Sequence, residues 1–144
     1  MIDSISSCAR AATADETRFR IDRPVGGRSA RVIALDAAAA DVVLRLAQLP
    51  WGASRFYPDP STFDAAELDD ADVAIMIATA DADGDTAGAI ARACAERGIM
   101  TAGLILGDRL GVGEAVSALR PYARNLMVTE DEDDVAAVLT ALRA

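Results

Sequence analysis

The chain has 144 residues, a net charge of −9 and 14 basic residues, all of them arginine. Without lysine or histidine it has no P-loop lysine, no Schiff-base lysine, no imidazole acid or base and no histidine metal ligand. Alanine is the other outlier at 32 residues; the larger apolar residues that remain still support one globular core.

Residues 1–28 read as an N-terminal extension, with five arginines against four acids, and the rest of the chain carries about −10. Such an acidic body repels phosphate backbones and anionic membrane surfaces, so neither nucleic acid nor membrane is an expected partner. Within the extension, Thr17–Asp22 alternates polar and apolar residues as an edge strand would. Pro24-Val25-Gly26-Gly27 punctuates it as a linker. The extension lacks the apolar segment of a signal peptide, and no apolar run reaches the ~18 residues of a membrane span. The expectation is a cytoplasmic protein. Cys8 and Cys94 make no disulfide framework, and Cys94 reads as a small buried residue of a helix.

From Ser29 to Ala144 the pattern is repeated β–α. Arg31–Leu35 is a short apolar run, hence a buried strand. A helix is expected over about Ala37–Gln48, with Val42, Val43, Leu46 and Leu49 at helical spacing and Pro50 beyond its end. Ala53–Tyr57 is a weak second strand. Ser61-Thr62-Phe63-Asp64 resembles a capping box and predicts a short helix to Leu68. Val73–Ala78 is the clearest strand. A helix over Thr86–Arg97 follows, with Asp85 as its cap and Gly98 just past its end. Met100–Leu106 is a strand, Glu114–Leu119 a helix and Asn125–Val128 a last short strand. Thr129-Glu130-Asp131-Glu132 reads as the capping box of a final helix running to about Arg143. Buried strands alternating with helices predict an α/β, doubly wound, Rossmann-like three-layer sandwich of five mainly parallel strands in the order 2-1-3-4-5.

In that order the ligand crevice lies between the first and third strands, at their carboxyl ends. Two loops meet there. The first, Asp36-Ala37-Ala38-Ala39-Ala40, stands where a glycine-rich phosphate loop is usual, and its simplest role is a helix capped by Asp36. The second, Asp81-Ala82-Asp83-Gly84-Asp85-Thr86-Ala87-Gly88, opens like a calcium loop but has Thr86 where glycine is needed and Arg92 where glutamate is needed. The candidate ligand-binding residues are therefore Asp36, Ala37, Ala38, Gly84, Asp85, Thr86 and Gly88. The candidate metal ligands are Asp36, Asp81 and Asp83, for a magnesium ion. A phospho-receiver domain shares this strand order but needs a lysine that the chain does not have.

The stretch Ala71–Ala78, a loop, and then Ile90–Ile105 resembles the FtsZ branch of the FtsZ/tubulin family, and Ala115–Val128 resembles the segment that follows there. The likeness covers roughly residues 30–128 and lies in the order of the segments. It implies a Rossmann-type GTPase domain with GTP and magnesium as cofactors. The departures from the family imply the loss of that activity and of tight nucleotide binding, so no cofactor is expected, with GTP or magnesium as the alternative. The first glycine box is Asp36 and alanines, aspartates interrupt the phosphate loop at 81, 83 and 85, and the second domain that completes the family's catalytic site has no room. The expectation is a non-catalytic FtsZ-like domain acting as a scaffold, interaction or regulatory subunit with a protein partner or further copies of itself. The alternative is a binder of a nucleotide or phosphometabolite through carboxylate-bound magnesium. A third class, an enzyme using Asp36 with Asp81 or Asp83 as acid and base, would need burial to separate their pKa values. Trp51, Phe56, Tyr57 and Phe63 fall within thirteen residues, and would mark an interface if exposed and the core edge if packed.

Overall fold

A computed structural model describes residues 28–142. Thr17–Asp22, the 24–27 linker, Cys8 and Arg143 lie outside the described residues. Five parallel strands form one sheet in the order β2-β1-β3-β4-β5, which is the predicted topology. They are β1 (Ala30–Ala34), β2 (Arg55–Tyr57), β3 (Val73–Ala78), β4 (Met100–Leu106) and β5 (Asn125–Thr129). Three α-helices connect strands, α1 (Ala37–Leu46), α2 (Gly84–Glu96) and α3 (Gly113–Leu119), and a fourth, α4 (Glu132–Ala141), follows β5. None is long and apolar enough to cross a membrane.

Strand pleating sends alternate side chains to opposite faces, and each face has its own core. Val32 and Ala34 of β1, with Val73, Ile75 and Ile77 of β3, pack under Val42, Val43 and Leu46 of α1 and Val135 and Leu139 of α4. Ile33, Ala74, Met76 and Ile105 face Ile90 and Cys94 of α2 and Ala115 and Leu119 of α3. The central strand β3 is buried along its whole length, which is why it reads in sequence as an unbroken apolar run.

Several boundaries depart from the sequence reading: β1 is shifted back by one residue, α1 ends at Leu46 rather than Gln48, β2 starts at Arg55 rather than Ala53, and three differences concern caps. The predicted helix over 61–68 is two 3-10 turns, Pro60–Thr62 and Ala65–Leu68, capped by Asp59 and Asp64. Pro60 fixes the first turn, and the carboxylate before it, not Ser61, accepts the orphan N–H. Helix α2 begins at Gly84 with Asp83 as its cap, so Asp85 lies inside the first turn. Helix α4 is capped by Asp131, while Thr129 ends β5 and donates its hydroxyl to Asp134. Gly98 does follow α2, at φ +67°. The amides of Gly98 and Ile99 bond back to Ala95 and Cys94, closing the helix in a Schellman turn.

The four aromatics are half-buried: Phe56 and Tyr57 lie in β2, and Trp51 and Phe63 stand on either side of it in the chain. Trp51 meets Phe56 at 5.9 Å between ring centroids on the α1 side, and Tyr57 meets Phe63 edge-on at 5.1 Å on the other. They close the two cores at the sheet edge. The Trp51 indole also donates to the Leu46 carbonyl at the end of α1.

Candidate functional site

The two loops singled out in the sequence do meet at the carboxyl ends of β1 and β3, where Leu35 N–H bonds to the Ile77 carbonyl at 2.9 Å. Asp36 ties them together. Its Oδ1 accepts the Ala39 amide of α1 at 2.8 Å and the Thr79 hydroxyl at 2.8 Å, and its Oδ2 accepts the Thr79 amide at 2.6 Å. One carboxylate thus caps α1 and clasps the loop after β3. A charged acceptor of several N–H and O–H groups makes a strong set of bonds, and it occupies donors that a bound phosphate would need. Thr79 falls in the second loop, which runs from Thr79 to Gly88, but its bond to Asp36 was not foreseen in the sequence.

The second loop is also held by its own side chains. Asp83 accepts the Asp85 amide at 3.0 Å and the Thr86 hydroxyl. Those two bonds, the hydroxyl first, hold its pKa below the usual carboxylate value. An Asp kept ionised in this way is set against service as a general acid. Gly84 and Gly88, four residues apart, both face the α3 side. A Cβ on Gly84 would sit 3.5 Å from the Ala118 Cβ, and one on Gly88 would sit 3.1 Å from the Tyr122 ring. Their spacing lets α2 approach α3 closely. Ala37, Ala38, Asp81 and Asp85 are exposed, and Thr86 is half-buried. Among the described residues no three His, Cys, Asp or Glu side chains form a group able to hold a metal, Asp36, Asp81 and Asp83 included.

Two features outside these loops were not visible in the sequence. Arg31, 1% exposed, projects from β1 beneath the 67–70 turn. Its guanidinium donates to the Glu67 carbonyl, the Ser29 hydroxyl and the Asp70 carboxylate. Asp69 and Glu67 of the same turn take Arg97 and Arg55. A cleft of about 500 Å³ lies beside the end of β5, lined by Arg109, Thr129, Asp131 and Asp134 among others. Cys94 is buried on the α2–α3 side and its thiol is pushed up to about 11 by desolvation, so it is a packing residue rather than a nucleophile.

Compared with known proteins, the chain matches no protein-family model and no curated protein sequence. The resemblance to the FtsZ branch therefore rests on the segments quoted above alone.

Proposed function

We propose that this chain is a non-catalytic, FtsZ-like Rossmann domain that acts through protein contacts, as a scaffold or regulatory subunit. The observation that carries this reading is the engagement of Asp36. The side chain at the switch point spends its acceptors on Ala39 and Thr79. An α/β fold that binds phosphate keeps those donors open to the ligand.

The test is a thermal-shift panel with GTP, ATP and sugar phosphates, each with and without magnesium, paired with light scattering of the purified chain. The reading expects no shift from any of these ligands. A magnesium-dependent shift with a nucleotide that disappears in Asp36→Ala would overturn it in favour of a ligand-binding site at Asp36, Asp81 and Asp83.

A further inference from the structure

A groove of about 430 Å³ runs between α2 and the two 3-10 turns. Its floor is apolar: Pro60, Phe63, Ala65, Ala89, Ile90 and Ala93. The small side chains of Ala89 and Ala93, one helical turn apart, leave the room. Thr86 lines one end, but its hydroxyl is already donated to Asp83. A small-molecule site of this size normally gathers several polar groups onto one point, and this floor offers none.

The rim is acidic. Asp85 lines the groove, Asp59 and Asp64 are chain neighbours of its lining residues Pro60, Phe63 and Ala65, and Asp83 caps α2 just before it; all four are exposed. Three of them cap a helix or turn, which fixes their carboxylates in place. None of the four is in an ion pair among the described residues. At the C-terminal end of α2 Arg97 is neutralised by Asp69. The groove therefore joins an apolar trough to unbalanced negative charge.

We infer that the groove between α2 and the 60–65 turns is a docking site for a basic, amphipathic peptide segment of a partner protein. Large apolar side chains of the segment lie over Ala89 and Ala93 against Phe63 and Ile90. Arginine or lysine beside them meets Asp59, Asp64 and Asp85. This is the general mode in which apolar anchors give affinity and charge at the rim gives orientation and rate. The inference deepens the interaction reading by naming a surface and a partner chemistry, and it rests on that reading.

Two synthetic peptides of the same length, one alternating arginine with leucine and one alternating glutamate with leucine, test it on the full chain. Methyl NMR reads the signals of Ala89, Ile90 and Ala93. The arginine peptide is expected to shift these three signals and to bind less tightly as salt screens the rim. The glutamate peptide is expected to leave them unmoved. Ala89→Arg, an exposed helix position given a good helix former, is expected to weaken binding at least about tenfold without unfolding the chain. Asp85→Asn is expected to weaken it by a smaller factor. Equal binding of both peptides, shifts confined to other residues, or binding unchanged by Ala89→Arg would overturn the inference. A failed peptide experiment beside a silent ligand panel removes this groove and leaves the interaction reading standing. A positive nucleotide shift removes the reading first.

Discussion

Replacing Asp36 by alanine separates a structural role from a ligand-binding one. The substitution removes the cap on α1, worth about 1 kcal/mol. It also removes two bonds from Thr79 to a charged acceptor. Such bonds are each worth about 1.5 kcal/mol at the low end of their range, and the half-exposed site lets water recover part of that. The expected loss is about 3 kcal/mol. For a chain of this size each kcal/mol moves the thermal midpoint by about 3 °C, so the midpoint should fall by about 9 °C. Asp36→Asn keeps an oxygen for the Ala39 amide but cannot accept both groups of Thr79. It should fall about half as far. Circular dichroism melts of the three proteins give the answer. A residue retained for binding rather than folding often costs stability, and its removal then raises the midpoint. An Asp36→Ala protein as stable as its parent, or more so, would refute the structural account of this carboxylate.

Four further outcomes follow from the packing and the ion pairs. Gly103→Ala puts a Cβ 2.7 Å from Leu126 Cδ1 and 3.2 Å from both Ala123 and Leu119; in a buried strand this overpacking should cost about 1–3 kcal/mol in urea unfolding. Arg31→Met removes the donor that the Glu67 carbonyl and Ser29 share and should cost about 3 kcal/mol. Asp70→Asn, at a position 70% exposed, should cost less than about 1 kcal/mol in the same assay. Glu67 is held below its usual value of 4.5, by the Tyr57 hydroxyl first and then by Arg55, and Glu132 by Arg45. These groups bind protons more readily when unfolded, so their contribution is present above that value and is lost as pH falls through it. Tyr57 is raised from 10.0, by burial first and then by Glu67; its contribution is lost as pH rises beyond that. Melts at about 0.15 M salt, where repulsion among distant surface charges is screened, should show a plateau bounded on both sides. A midpoint that climbs on acidification to about pH 4 would contradict the ion-pair account.

Buried parallel strands were legible in sequence because burial on both faces leaves an apolar run with sharp ends. Val73–Ala78 and Met100–Leu106 match the structure residue for residue. Helix starts were less legible, because several acids compete for each cap. Aspartates at 81, 83 and 85 leave three choices, and the winner is the one whose oxygens reach both the Asp85 amide and the Thr86 hydroxyl. The roles of Gly84 and Gly88 were hidden for a different reason. A glycine that serves a phosphate loop and one that serves helix packing look alike until Ala118 and Tyr122 are placed against them. Arg31 was hidden because its partners at 67 and 70 are brought to it only by the crossover from β1 to β3.

The capping pattern gives five of the chain's 23 acidic residues a structural role. Aspartate caps α1, α2, α4 and both 3-10 turns, at positions 36, 83, 131, 59 and 64; only α3, preceded by Val112, lacks a side-chain cap among the described helices. In a parallel α/β sheet every crossover helix starts near the carboxyl ends of the strands. Charges chosen for capping therefore collect at the same end of the molecule. That is also the end where this architecture binds anions when glycine and serine do the capping instead. The choice of Asp for these caps stabilises each helix through its dipole and, in the same stroke, sets a negative potential against any phosphate approaching the crevice. The five capping aspartates thus serve their helices and turns and set a local potential that favours a positively charged partner over an anionic one.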